Sequence, residues 1–567
     1  MSSAEEEGVS IVLFMGKDCA PCKIVKKHLD KIIQTAGEAV NFLMIDTEKH
    51  PALRDKYGIV NVPEVLIDNK TVLTASEASG LLSSSADADA FSSMMGFGDA
   101  AGTLVDAPGV GSFDTTVSSD QVTDFGSMFA GTGAEVFNYL FNALIEARLD
   151  REKRDLPANM KKNMLHISSS ALRAIEEGET LRASMSDYVH IGVLQSIVTS
   201  MLSINQASKR ILYRAGNMMG RFGALQTKLF EYNPKIFDQF EPTKRFREIV
   251  TGLGKMYDAT KDQFPTFLAS GAKVMRVTDK SATLRIYGSA LAACAVDIQT
   301  PLCHFFAGDI AGLMETQLGE EVAVVETSCW GLGNKFCEFV LTRGEAPSFE
   351  KARDDDGVFM SETRSEMFEN CLSAISQNTY ESTLMKKRLR PGVGDFVHIT
   401  VLQQILNGLK FADPFYSTLL YYAGAHYGRL GVDKVVLQSI LFETDDHEPY
   451  QLPLEFEDGL KVLADYFNDP RTILRRRQGL VKVSFVDDET AHVRIKECAT
   501  ACGTHISMPL VDMEGQIMEE ERIPLCDFTA GFIHGRLDLL LDEDVRVKEL
   551  ECHSTGHNHC LFEVSLD

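Results

Sequence analysis

The hydrophobic pattern changes character three times along the chain. Near the start it consists of short unbroken apolar runs, "VSIVLFMG" (9–16), "NFLMIDT" (41–47) and "EVLID" (64–68), each of strand length. Between the first two runs, Val25, Leu29, Ile32 and Ile33 recur at helical spacing from about Pro21 onward. Strand, helix, strand predicts a parallel pair with a crossover, so residues 1–78 are expected to form an α/β domain. The pattern then stops. From Thr71 to Ala147 there is no Lys or Arg, and the stretch 79–134 is dominated by Ser, Ala, Gly and Asp. Such a composition buries too little apolar surface to offset the entropy of ordering, which predicts a flexible linker without chemistry of its own.

Beyond it the pattern is periodic on a much longer scale. "SDYVHIGVLQSI" (186–197) recurs as "GDFVHITVLQQI" (394–405), and "ILYRAGNMMGRFG" (211–223) as "LLYYAGAHYGRLG" (419–431). "KVMRVTDKSATLRI" (273–286) recurs as "KVSFVDDETAHVRI" (482–495), and "PLCHFFAGDIAG" (301–312) as "PLCDFTAGFIHG" (524–535). The offset grows from 208 to 209 to 223, so the main insertion falls at about 503–525. Each copy runs through amphipathic helices with Gly pairs suited to close approach, a strand hairpin, a helix starting near Pro-Leu-Cys, and a closing hairpin. Helices on a mostly antiparallel sheet make each copy α+β, with expected boundaries 135–345 and 360–567.

Charge narrows the function. With 56 Lys and Arg against 81 Asp and Glu, the net charge is −25, which repels phosphate backbones and anionic membranes; no nucleic-acid partner is expected. No apolar run approaches the roughly 18 residues of a membrane span. The start, "MSSAEEEGVS", does not read as a secretory signal, so a cytoplasmic location is expected. Thiols there are mostly reduced. Twelve cysteines in 567 residues are too sparse for a disulfide scaffold and point instead to metal binding or catalysis.

Six of the twelve repeat. Cys303, Glu326, Cys329 and Cys337 are separated by 22, 2 and 7 intervening residues, and so are Cys526, Glu549, Cys552 and Cys560. Three thiolates and a carboxylate suit a tetrahedral zinc shell, with sulfur at about 2.3 Å and oxygen at about 2.0–2.2 Å. The last two cysteines flank a hairpin turn, Glu lies just before them, and the remaining Cys heads a helix beside the hairpin. Such a closed shell pins helix to sheet, and two zinc sites are expected. The alternatives are buried core thiols or an iron–sulfur cluster, though clusters usually take four Cys. In the second copy Glu551, His553, His557 and His559 are candidates to replace Glu549. His190 and His398 also repeat, each three residues after an acid, Asp187 and Asp395. On a helix the acid would sit one turn behind; the pair reads either as satisfied core histidines or as polar groups of a ligand pocket. Cys294, Cys371, Cys498 and Cys502 show no repeat and read as core thiols.

The spacing, the Pro-Leu-Cys helices and the closing hairpins resemble the 4-vinyl reductase (4VR) domain, over about 150–345 and 365–567. That family includes sensor domains of phenol-responsive regulators and a bacteriochlorophyll-biosynthesis protein, and shares its fold with a TRAPP subunit family. The resemblance implies that the four matching residues of each copy are zinc ligands. It further implies a pocket for a small hydrophobic or aromatic molecule, and dimerisation; two copies in one chain would form an intrachain pseudo-dimer in place of a homodimer. The ATPase and DNA-binding segments of the phenol regulators have no counterpart here.

The amino-terminal domain carries Cys19-Ala-Pro-Cys22 between a strand and a helix, with Lys17, Lys23, Lys26 and Lys27 nearby. A thiolate at Cys19 faces the positive end of the helix dipole, which favours it as the attacking sulfur, and Cys22 one turn on can resolve a mixed disulfide. With "YGIVNVPEVLID" further along, the stretch 9–75 resembles thioredoxin and the short glutaredoxin-like proteins. This implies a cis-proline loop at Val62-Pro63 that receives a partner's extended chain. Asp18 and Glu64 depart from the usual residues of that family. Together these readings predict a redox-linked binding protein, with thiol–disulfide oxidoreductase as the enzymatic option and a protein disulfide as partner. The alternatives are a carrier, sensor or assembly factor for an apolar or tetrapyrrole-like compound, with the amino-terminal domain as a docking module, and a redox-controlled zinc switch.

Overall fold

The structure is a computed structural model that describes residues 9–78 with short gaps, eight positions between 140 and 178, and 180–345 and 362–566 with short gaps. The expected linker, 79–134, lies outside the described residues. The chain divides into two compact units at Lys153/Arg154, apart from two short segments assigned across the boundary.

In the first unit the apolar runs become β1 (Val9–Met15), β2 (Val40–Asp46) and β3 (Glu64–Ile67), and a further short strand follows, β4 (Lys70–Leu73). Helices α1 (Ala20–Ala36) and α2 (Pro51–Tyr57) come after β1 and β2. The sheet order is β2-β1-β3-β4. β1 and β2 are parallel, as the crossover predicts, while β3 and β4 are antiparallel additions. Val25, Leu29 and Ile32 of α1 are fully buried, and Phe14, Ile45 and Leu66 pack with Ile59 in a core cluster of this unit. A last helical turn starts at Ala75, where Thr74 N and Oγ1 both donate to Glu77 Oε2 (2.8 and 2.7 Å).

Both repeats lie in the second unit. The first comprises β5 (Tyr188–His190), α3 (Gly192–Ile204), α4 (Ser208–Gln226), α5 (Pro242–Gln263), β6 (Gly271–Val277), β7 (Ser281–Tyr287), α6 (His304–Leu318), β8 (Val322–Ser328) and β9 (Cys337–Arg343). The second opens with α7 (Glu362–Met385) and β10 (Phe396–His398). It continues through α8 (Ile399–Ala412), α9 (Tyr416–Arg429), α10 (Lys434–Phe442) and α11 (Phe456–Asn468). It closes with β11 (Leu480–Phe485), β12 (Thr490–Lys496), the pair β13 (Ser507–Val511) and β14 (Ile517–Arg522), α12 (Asp527–Leu540), β15 (Val545–Glu551) and β16 (Cys560–Leu566). The two four-stranded sheets have one order, β6-β7-β9-β8 and β11-β12-β16-β15, antiparallel throughout. The insertion read at 503–525 is the hairpin β13–β14.

The Gly pairs set how each Pro-Leu-Cys helix is held. A Cβ added at Gly216 or Gly220 would stand 1.8 or 1.9 Å from the carbonyl oxygens of Phe305 or Asp309, and one at Gly308 or Gly312 would stand 1.8 or 2.0 Å from those of Tyr213 or Asn217. The backbones of α4 and α6 therefore touch, which only glycine permits. Gly424, Gly428, Gly531 and Gly535 repeat the arrangement between α9 and α12.

The copies are joined by exchange. β5 pairs with β10, Val189 opposite Val397. Ile191 N donates to Asp395 O and Ile399 N to Asp187 O (2.9 and 2.8 Å), a reciprocal pair of hydrogen bonds. Asp187 accepts from Leu181 N and Arg182 N, and Asp395 from Leu389 N and Arg390 N. Arg182 and Arg390 are wholly buried, and burial pulls Arg390 down to about 10. Asp187 and Asp395 thus lie in turns before short strands, not on helices one turn behind the histidines, because their carboxylates close a local turn.

Candidate metal centres and dithiol

Cys303 caps the start of α6, Glu326 sits on β8, Cys329 opens the turn after it and Cys337 begins β9. The ladder brings them together: Glu326 is opposite Phe339, and Cys337 is opposite Ile286 of β7. The four ligand atoms lie within 4.8 Å of one another, and all four residues are buried. Cys303 Sγ is 3.4 Å from Cys337 Sγ, and Cys337 Sγ is 3.9 Å from Cys329 Sγ. A tetrahedral ion with bonds of about 2.3 Å to sulfur needs sulfur–sulfur edges of about 3.8 Å, so the spacing fits. Cys303 N donates to Glu326 Oε2 (2.9 Å), while the buried Oε1 has no hydrogen-bond partner among the described residues. A buried carboxylate oxygen with nothing to accept from is costly unless a cation meets it.

The electrostatics agree. Burial pushes Glu326 and the Cys303 thiol well above their ordinary ranges. Burial also opposes ionisation of Cys329, but hydrogen bonds from the Cys303 and Cys337 thiols and from Leu302 N outweigh it and hold that thiol well below the usual range. A cluster of acids that cannot all ionise in a dry site is one that a divalent cation relieves.

The second copy repeats the set. Cys526 caps α12, and Cys526, Glu549, Cys552 and Cys560 again lie within 4.8 Å of one another. Cys526 Sγ is 3.8 Å from Cys552 Sγ and 3.5 Å from Cys560 Sγ, with 3.8 Å between the latter two. Glu549 is partly exposed as a residue, yet its Oε1 is buried and also lacks a hydrogen-bond partner among the described residues. The other candidates lie elsewhere. His557 Nδ1 and His559 Nε2 pair with Glu551 Oε2 (3.4 and 2.9 Å), and Glu549 is the carboxylate that joins the sulfurs.

The structure adds a residue that repeat-reading assigned to the core. Cys498 Sγ stands 3.6 Å from Cys526 Sγ, so it adjoins the second cluster. The other thiols also have defined places. Cys502 Sγ donates to Leu181 O (3.1 Å) and Cys294 Sγ to Leu389 O (3.6 Å), each across the joint between copies. Cys371 is buried in α7, and burial pushes it up to about 12.

His190 and His398 end β5 and β10. His190 Nδ1 accepts from Gly192 N (3.0 Å) at the start of α3, and His398 Nδ1 meets Thr400 Oγ1 (2.8 Å) at the start of α8. Each ring lies edge-on to an aromatic of the opposite copy, His190 to Phe396 and His398 to Tyr188, both at 5.4 Å.

In the first unit Cys19 and Cys22 form a disulfide. Cys19 is partly exposed and Cys22 fully buried. Cys19 Sγ lies 3.8 Å from Val62 O, and the Val62–Pro63 peptide is cis, so the loop and the sulfur face each other. Glu64 follows, its carboxyl raised by partial burial and in contact with Thr71 Oγ1 (3.2 Å).

Residues 2–87 match the thioredoxin family, and residues 282–343 and 517–566 match the 4VR domain family. The chain therefore carries a thioredoxin domain at its amino end and 4VR-domain sequence in two places. It is 40% identical over 91 residues to an uncharacterized protein of Methanocaldococcus jannaschii, covering 15% of this chain and 56% of that protein. A second uncharacterized protein of that organism is 49% identical over 45 residues, 8% of this chain and 26% of its own length. The chain thus spans about half and about a quarter of these two relatives. The thioredoxin of Bacillus subtilis (strain 168) is 29% identical over 76 residues, 13% of this chain and 73% of that protein. Among solved structures, the phenol-responsive sensory domain of the transcription activator PoxR with phenol is similar at a TM-score of 0.21 and 15% identity, over 37% of this chain and 98% of that one.

Proposed function

We propose that this chain, which joins a thioredoxin domain to two 4VR domains, is a cytoplasmic redox-linked binding protein for a small hydrophobic or aromatic molecule, with a zinc ion in each 4VR domain. The observation that carries the reading is the recurrence of a buried three-thiol, one-carboxylate cluster at the same helix–hairpin junction of both copies. Cys303, Glu326, Cys329 and Cys337 would hold one ion, and Cys526, Cys552 and Cys560 with Glu549 the other. The ion would supply cross-linking of α6 to β8–β9, and of α12 to β15–β16, without an open position for reaction. The modules proposed are 1–78, 135–345 and 360–567, joined by 79–134, with the two repeats acting as an intrachain pseudo-dimer about β5–β10. The ligand class follows from the 4VR resemblance; His190 and His398, tied to helix starts, serve this reading as joints between the copies.

Dithiol exchange would run in two steps. The Cys19 thiolate attacks a partner disulfide, forming a mixed disulfide and releasing one partner thiolate. The Cys22 thiolate then attacks Cys19 Sγ, regenerating the Cys19–Cys22 disulfide and releasing the second partner thiolate. The partner is reduced by two electrons and the pair is oxidised. Exposure of Cys19 and burial of Cys22 support this order. Native mass spectrometry of freshly purified protein tests the reading, because it reports metal number and retained organic mass together. Two metal ions and a co-purifying small apolar molecule are expected; a metal-free chain with no retained mass contradicts it.

A further inference from the structure

The two clusters occupy one place in the repeat, yet their surroundings differ. Ile286 of β7 pairs with Cys337, and Ile495 of β12 pairs with Cys560, so these strands align at an offset of 495 − 286 = 209. The loops that follow agree, since the left-handed residues Gly288 (φ 54°) and Cys294 (φ 63°) correspond to Glu497 (φ 59°) and Gly503 (φ 74°). On this alignment Ser289 corresponds to Cys498. Ser289 Oγ lies 3.3 Å from Cys303 Sγ, and Cys498 Sγ lies 3.6 Å from Cys526 Sγ. A hydroxyl beside the first cluster is replaced by a thiol beside the second.

Three further differences accompany that exchange. Thr500 Oγ1, opposite Leu291, lies 2.9 Å from Cys498 Sγ and 3.0 Å from Cys526 Sγ. Ser554 Oγ, opposite Gly331, donates to Cys552 Sγ at 3.2 Å. Lys410 of α8, opposite Leu202 of α3, is buried, donates to Pro524 O and carries its charge near Glu549, Cys526 and Cys552. Five acidic groups gather here rather than four, with a buried ammonium and two hydroxyls to stabilise the added negative charge.

We propose that the second centre is a four-sulfur metal site in which Cys498, Cys526, Cys552 and Cys560 hold the ion and Glu549 stands beside it, while the first centre keeps three sulfurs and Glu326. The sulfur edges at Cys526, 3.5, 3.6 and 3.8 Å, match the roughly 3.8 Å edge of a tetrahedral sulfur shell. Four thiolates favour soft divalent ions, zinc and cadmium above manganese or magnesium, and the second centre would discriminate more sharply than the first.

The inference rests on metal binding at both centres, and cobalt(II) loading of the full chain separates the two claims. With two cobalt ions bound, seven sulfur–cobalt bonds set the near-ultraviolet charge-transfer band. Cys498→Ser should lower that band by about one-seventh at unchanged cobalt content, and Ser289→Cys should raise it by about one-seventh. Cadmium-113 NMR of the unsubstituted chain should show two separated resonances, the more deshielded one moving toward the other in Cys498→Ser. An unaltered band in both variants, or two coincident cadmium resonances, overturns the four-sulfur site while leaving metal binding intact. Failure of either centre to take up cobalt overturns metal binding itself, and this inference with it.

Discussion

Cys19 is partly exposed and Cys22, three residues on, is sealed in the core, so the two sulfurs of one pair have unequal chemistry. After reduction, Cys19 should react with iodoacetamide roughly tenfold faster or more than Cys22, because attack needs access as well as thiolate character. Mass spectrometry of the alkylated peptides measures the ratio, and equal rates would remove the basis for naming Cys19 the attacking sulfur. Cys19→Ser should abolish insulin disulfide reduction, whereas Cys22→Ser should accumulate mixed disulfides; an unsubstituted chain no faster than Cys19→Ser would contradict the oxidoreductase reading. The repeating ligands were legible at this scale because three intervals are kept in both copies. Cys498 was not, since its counterpart is Ser289 and identity of residue type is what self-comparison detects. Its signal was the strand alignment at Ile286 and Ile495, which needs the ladder to be read.

At the scale of elements, each metal-bearing helix is positioned by backbone contact with a glycine-lined neighbour. Gly308→Ala places a Cβ 1.8 Å from Tyr213 O, and because the obstacle is backbone the helices must part. A loss of about 3 kcal/mol is expected, the upper end for overpacking, read as a lower denaturant midpoint. Gly223→Ala meets only the Leu313 side chain at 3.9 Å and should be neutral or slightly stabilising. Equal effects of the two would show that the helices are not interlocked. The Gly pairs announced this packing in the sequence, as did the apolar runs for β1, β2 and β3. The short strands β5 and β10 escaped notice: three residues carry too little alternation, and Asp187 and Asp395 read as helical neighbours of the histidines until their turn-closing hydrogen bonds are seen.

For the whole molecule, the second unit depends on exchange between its copies. Asp395 accepts from Leu389 N, Arg390 N and Ser382 Oγ, beside the backbone bond from Ile191 that ties one copy to the other. Asp395→Ala would leave two backbone donors and a buried Arg390 uncompensated, and should cost about 3 kcal/mol while lowering the melting of both copies together. Separate transitions, only one of them shifted, would show that the copies fold independently. No helix of the described residues is long and apolar enough to cross a membrane, in keeping with the acidic composition. The claim on which all of this rests is that each copy gathers three thiols and a carboxylate around an ion. Its most direct test is elemental analysis of metal per chain in freshly purified protein and in Cys303→Ser, Cys526→Ser and the double variant. The structure predicts two ions, then one, one and none; fewer than about one ion per copy, unmoved by either substitution, would contradict it.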